Sequence, residues 1–319
     1  MNNNYIQSPI LYMGSKRKLI SKGLNYLFPE KINNFYDVFT GSGIVSMNVG
    51  AKKYHINDIN PILHKYYNLF KDKEAVYIIN QINANISKYK LPLEQTNRTT
   101  FKNTDKIKEY KTAYNNLRKE YNKNKKVMDL YTLMFFSFSQ QVRFNKSGEF
   151  NMPFGNNCFS ENSKKNIITG CDFFKKNNLN ITSYDCFDIL NRDFKKDDFV
   201  YLDPPYLNTL ATYNENNGWT CEQDKKLRQQ LLKLHKSGVK FGMSNVFYNK
   251  DFENRELIDW CISNKLNVYT VNGFKYSACG TKNKKTMEVY ICNYNIPKNN
   301  SSFTKVDLTE YAISDDLVA

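Results

Sequence analysis

Apolar positions along this chain come in two textures. Over 34–39, 54–58, 181–184, 199–202, 239–243, 267–271 and 287–292 they form short dense runs bounded by turn residues, the pattern of buried strands. Over 221–235 and 254–263 they recur at helical spacing; 19–28 reads as a short helix, 44–49 as a helix start, and Pro61 stands where a helix opens. Strand, glycine turn, helix, strand, acid is the order up to Asp58, and it is the front half of a doubly wound α/β sheet.

After about Phe70 the texture changes. Residues 71–130 are polar, basic and helical in propensity; 131–138 is densely apolar, and Lys146-Ser147-Gly148 can turn a hairpin. The α/β rhythm resumes at 181. The expected organisation is a catalytic domain from 1–70 and 166–297, an insertion at 71–165, and a polar, loosely ordered tail at 298–319.

Composition narrows the function. With 46 Lys and Arg against 31 Asp and Glu, the net charge is +15, which suits an acidic partner such as nucleic acid or anionic lipid. Hydrophobic residues make up 41% of the 319 residues, too many for a disordered chain. The absence of a long apolar run argues against a membrane span, the polar start against a secretory signal, and the expected location is cytoplasmic. The seven cysteines form no CxxC pair and the three histidines share no ligand spacing, so no metal site is expected and the thiols read as small buried side chains.

Phe39-Thr40-Gly41-Ser42-Gly43 follows the first expected strand, and Asp58 ends the second. Glycines permit a tight turn and close approach of a ligand to the main chain, and an acid at that strand end can accept from ribose hydroxyls. Ser46 stands where a dinucleotide fingerprint has its third glycine. A nicotinamide or flavin enzyme and an ordinary turn also fit these residues.

Asp203-Pro204-Pro205-Tyr206 adds a second, more telling feature. A strand delivers an acid, two prolines and an aromatic to the sheet edge where ligands bind in open α/β folds. The prolines have no N–H, so local carbonyls stay free to accept. Acid, carbonyl and aromatic face together form a receptor for a planar ring bearing an amino group.

Here the sequence resembles the Dam-like, alpha-class DNA adenine-N6 methyltransferases. Asp203-Pro-Pro-Tyr206 is similar to their catalytic motif, Asp37-Val-Phe-Thr-Gly-Ser-Gly43 to their S-adenosylmethionine motif, and Tyr12-Met-Gly-Ser-Lys16 to their amino-terminal motif, in that class's order. The resemblance implies a mostly parallel seven-stranded sheet with a mainly helical DNA-recognition insertion carrying a β-hairpin. It implies that Asp203, Pro204, Pro205 and Tyr206 hold a flipped adenine of double-stranded DNA. Tyr12, Lys16, Asp37, Phe39, Gly41, Ser42, Gly43, Asp58 and Asp185 are implied to line the S-adenosylmethionine site, with Lys16 at its carboxylate, Asp58 at its ribose and Asp185 at its adenine. The segment 143–155 resembles the recognition hairpin of enzymes modifying GATC, which makes Arg143, Asn145 and Asn151 the candidate DNA contacts. Leu11 stands where some Dam enzymes carry a lysine for the outer guanine, so other adenine-containing sites stay open. A cognate restriction endonuclease is a conceivable companion. The competing readings are an RNA or protein-glutamine methyltransferase and a non-catalytic DNA-binding relative.

Overall fold

The computed structural model describes residues 5–95, 104–207, 219–249, 252–271, 286–296 and 301–311. The strands are β1 (Asn34–Asp37), β2 (Lys53–Asn57), β3 (Leu179–Thr182), β4 (Phe199–Leu202), β5 (Lys240–Asn249), β6 (Phe252–Glu253), β7 (Asn267–Val271), β8 (Thr286–Cys292) and β9 (Phe303–Lys305). They form one sheet in the order β3-β2-β1-β4-β5-β8-β7-β9, with β6 on the far end of β5. Pairing is parallel from β3 through β5 and antiparallel from β5 through β9. After β1 the chain moves outward to β2 and β3; at β4 it returns to the other side of β1. The β1–β4 boundary is therefore the topological switch point, where a crevice opens beyond the strand ends.

Alternation along the strands splits the core into two layers. Phe35, Tyr54, Tyr201 and Tyr290 face a cluster built with α2 (Pro61–Asp72), α3 (Ala75–Tyr89), α4 (Thr104–Asn124), α5 (Val127–Phe136) and α6 (Glu161–Lys176). Tyr36, Val200, Leu202 and Phe241 face a second cluster with α7 (Cys186–Leu190), α8 (Cys221–Lys236) and α9 (Arg255–Ser263). Within 71–165, Ile78, Tyr114, Leu117, Tyr131 and Phe135 pack in the same cluster that covers β1 and β2. The ambiguous apolar run near 131 is helix α5, apolar all round because it is buried all round.

Several expectations are corrected. Among the described residues the sheet has nine strands rather than the expected seven. The tail is not loose throughout: β9 pairs with β7, anchored by Phe303, the one large apolar residue of its strand. The expected 19–28 helix is broken at Gly23, with φ +87°, into α1 (Arg17–Ser21) and a short 3-10 turn. The helix start at 44–49 is only a 3-10 turn, because β-branched, Ser and Asn residues fill the space before Gly50 and Asn48 turns its side chain onto the Ile44 carbonyl. Cys221 is exposed at the start of α8 and Cys158 is half-buried, against the expected burial, and Cys279 lies outside the described residues. Among the described residues no helix is long and apolar enough to cross a membrane.

Candidate active site

The switch point brings the two motifs side by side. Asp37 ends β1 and is paired in register with Tyr201 of β4, two residues before Asp203. Beyond β1 the chain turns through Gly41 (φ +54°) and Gly43 (φ +77°), conformations that side-chain-bearing residues rarely adopt. A Cβ on Gly41 would also stand 3.2 Å from the Tyr12 ring. The Tyr67 hydroxyl donates to the Gly41 carbonyl at 2.6 Å, and Ser15 and Ser42 hydroxyls lie 3.1 Å apart. The 12–16 segment is thus laid across the glycine turn, and it delivers Lys16 to the proline motif.

Lys16 is 7% exposed, and its ammonium lies 2.8 Å from Asp203 Oδ1 and 3.5 Å from Glu288 Oε1. The Tyr206 hydroxyl reaches the same two carboxylates, each at 3.1 Å. In this conformation Lys16, whose resemblance-implied partner is a cofactor carboxylate, is the counter-ion of Asp203. Burial pushes the Asp203 carboxyl up to about 6, against the opposing pull of Lys16.

Acids dominate the rest of the crevice. Asp37 Oδ2 accepts from the Ser46 hydroxyl at 2.6 Å, while its Oδ1 is buried with no hydrogen-bond partner among the described residues. Burial lifts Asp37 to about 7, opposed by the Ser46 bond, with Asp203 and Asp58 adding to the rise. Asp58 Oδ2 accepts from the Gly41 N–H and Oδ1 from the Asn60 N–H, both at 2.9 Å; burial lifts it to about 6. A group bearing positive charge is the natural complement of this set, and the orphaned Asp37 oxygen is an acceptor aimed at one.

At the β3 side Asp185 caps α7 through the Phe187 N–H at 2.8 Å. It lines an open cleft of about 470 Å³ with Phe187, Asn191, Glu222 and Lys226. Trp219 stacks on Phe187 at 6.4 Å and meets Phe39 edge-on at 5.8 Å, which joins this cleft to the glycine motif. Asn57, at the end of β2, donates to the Val38 and Tyr184 carbonyls and so ties the Asp58 and Asp185 segments together.

The expected DNA contacts lie together on one turn. Phe144 and Phe150 bridge antiparallel, with Gly148 at φ +70° in the turn between them. Arg143 Nε donates to Asn151 Oδ1 at 3.0 Å. Asn145 accepts from the Ser147 and Glu149 N–H groups, so its side chain builds the turn. Helix α4 grips this turn: Asn122 bonds both main-chain groups of Phe150, Tyr114 and Arg118 donate to the Met152 carbonyl, and Lys125, just past the helix end, donates to the Gly148 carbonyl. Tyr114 and Tyr121, which stand among the lysines of α4, are buried. Lys106, Lys108, Lys111, Lys119 and Lys123 remain exposed.

Sequence reasoning passed over Ser46, Asn57, Trp219 and Glu288. An acid inside the apolar run 287–292 was a legible signal for the last. It also passed over Phe138, which is 58% exposed and held up by Ser139 (φ 52°) and Gln140 (φ 54°) in the left-handed region. Strain of this kind gathers at functional sites. The loop from Asn272 and the lysines 282–285 lie outside the described residues.

The chain is similar in sequence to known proteins. The family model for D12 class N6 adenine-specific DNA methyltransferase matches residues 12–302. The chain is 36% identical over 310 residues to modification methylase StsI of Streptococcus sanguinis, covering 94% of this chain and 45% of that protein. It is 35% identical over 301 residues to type II methyltransferase M.FokI of Planomicrobium okeanokoites, 92% of this chain and 43% of that one. A DNA adenine methylase of Vibrio cholerae is 27% identical over 247 residues, 73% and 79% of the two chains. The chain therefore spans a little under half the length of the two more similar relatives. With the motifs gathered at the switch point and the match running over nearly all of its length, this chain belongs to the D12 class N6 adenine-specific DNA methyltransferase family.

Proposed function

We propose that the chain methylates the exocyclic N6 of adenine in duplex DNA, with S-adenosylmethionine as donor. The observation that carries this reading is the Asp203 carboxylate beside Tyr206 at the switch point, next to an acid-lined glycine turn. Bound S-adenosylmethionine supplies an activated methyl group. Asp37, with its unpartnered oxygen, would hold the cofactor's cationic methionine end, Asp58 the ribose, and Asp185 with Phe187 the adenine. Tyr12, Phe39, Ser42 and the two glycines would shape the wall between them.

The target nitrogen is a poor nucleophile because its lone pair is delocalised into the ring. Asp203 and the Pro204 carbonyl would accept its two N–H bonds and orient that lone pair; Pro205 fixes the backbone, and Tyr206 covers the base face. Such catalysis is orientation and electrostatics. A base stacked in a duplex cannot reach this crevice, so it must flip out, at about a few kcal/mol. Phe138, exposed next to two residues in the left-handed region, is suited to wedge into the stack the base leaves. Arg143 and Asn151, joined as a pair, would face base edges, and the lysines of α4 the phosphates. The relatives named modification methylases support a role in protecting DNA from a restriction endonuclease of the same specificity.

Incubating the protein with plasmid DNA and labelled S-adenosylmethionine, then mapping the modified bases, tests this. N6-methyladenine at a defined site is expected, and Asp203→Ala should bind cofactor normally yet lose most turnover. Methylation of RNA or protein in preference to DNA, or full turnover in that variant, would overturn the reading.

A further inference from the structure

Glu288 is an acid in an otherwise apolar stretch of β8. It sits on the same face as Tyr290, opposite Val246, where the β5–β8 register shifts, and its side chain is 11% exposed. A carboxylate so placed is costly unless paired. Its partners are the Lys16 ammonium at 3.5 Å and the Tyr206 hydroxyl at 3.1 Å, the same two donors that hold Asp203 at 2.8 and 3.1 Å. One ammonium and one phenol thus stand between two carboxylates, and the phenol has a single proton to donate. While both donors rest on Asp203 Oδ1, an incoming amino group must compete with them for that oxygen.

We propose, resting on the adenine methyltransferase reading, that Glu288 is a positioning residue. It takes over the Lys16 ammonium and the Tyr206 hydroxyl, so that the Asp203 carboxylate can accept the amino hydrogens of the target base. Glu288 is the exchange partner that keeps two buried donors satisfied when Asp203 turns to substrate. Among the described residues, the charged and titratable groups facing Asp203 are Lys16 from the segment before α1, Glu288 from β8, Tyr206 of its own motif, Tyr201 from β4 and Asp37 from β1. Among them Glu288 raises the proton affinity of Asp203 and Lys16 lowers it. Without the Glu288 charge the pull of Lys16 on Asp203 is no longer shared with this second carboxylate, and both changes lower that affinity.

Glu288→Gln therefore has a signature that loss of fold cannot imitate. On plasmid DNA, kcat should fall about tenfold or more while KM for the cofactor stays near its wild-type value. The acid limb of the kcat–pH profile should move to lower pH; a merely destabilised protein loses amplitude with the limb in place. In the protein alone, labelled with carboxyl-13C aspartate and assigned with Asp203→Asn, the Asp203 resonance should titrate at lower pH in Glu288→Gln. An unchanged rate, limb and titration would overturn the proposal. Should Glu288→Gln fail to fold, Glu288→Asp keeps the charge at shorter reach: it should hold the limb near its wild-type position with reduced kcat, and full kcat there would equally overturn it. If the wild-type protein methylates no DNA, the adenine reading fails, and the carboxyl titration still decides whether Glu288 governs Asp203.

Discussion

Replacing Asp37 with asparagine isolates the charge at the centre of the crevice. The carboxyl is buried, ionises near 7 in the folded chain, and ionises near 3.8 when exposed. As pH rises the unfolded chain releases this proton first, so the contribution of Asp37 is most favourable at low pH and is lost as pH climbs through about 7. The linkage amounts to about 4 kcal/mol at high pH, of which roughly 2–3 kcal/mol develops between about pH 5 and pH 8. Asparagine keeps an oxygen for the Ser46 hydroxyl and places an amide donor where Oδ1 stood. That donor is buried and costs about 1–3 kcal/mol, but at every pH alike. Urea unfolding followed by circular dichroism at constant ionic strength therefore has a clean expected outcome. The stability of Asp37→Asn relative to wild type should rise by roughly 2 kcal/mol from about pH 5 to pH 8. Cofactor affinity by calorimetry should show the complement, weakening in wild type as pH falls below about 7 and staying low and nearly flat in the variant. Parallel stability profiles would refute the assignment of a strained, cation-seeking acid at this position.

Two further outcomes follow from the same geometry. Gly41→Ala puts a Cβ against the Tyr12 ring in a left-handed backbone; thermal unfolding should show a loss of about 1–3 kcal/mol, and cofactor titration a weaker complex, whereas unchanged affinity would mean that the turn is not pressed against Tyr12. DNA binding should weaken steeply with salt, and the triple change of Lys106, Lys108 and Lys111 to Ala should flatten the log–log slope by about 0.9 for each phosphate contact removed; an unaltered slope would place the DNA elsewhere.

The strands were legible because they are short, dense and bounded by turn residues; β4 and β7 fall where the apolar runs do. The short extra strands β6 and β9 were not, since two or three residues give no periodicity. Asp58 and Asp203 could be named because they end strands at one sheet edge, and Asp37 through the resemblance of its motif. Their mutual influence could not, because it depends on the β1–β4 pairing, a contact between distant parts of the chain. Lys16 was identifiable as a cation of the site, but a motif read alone does not reveal that its partner is Asp203. The tyrosines of α4 stand among lysines at the spacing of a helix with one buried stripe, and packing buries Tyr114 and Tyr121 on it.

The grip of α4 on the turn at 143–152 has an evolutionary reading. Asn122, Tyr114, Arg118 and Lys125 hold the turn by its main-chain groups at Phe150, Met152 and Gly148. Every residue there except proline offers the same carbonyl and amide, so mutation of the outward-facing side chains leaves the clamp intact. On the reading proposed above, new specificities would be sampled at exposed turn positions such as Lys146 and Ser147, with Asn145 and Gly148, which build the turn, and helix α4 left untouched.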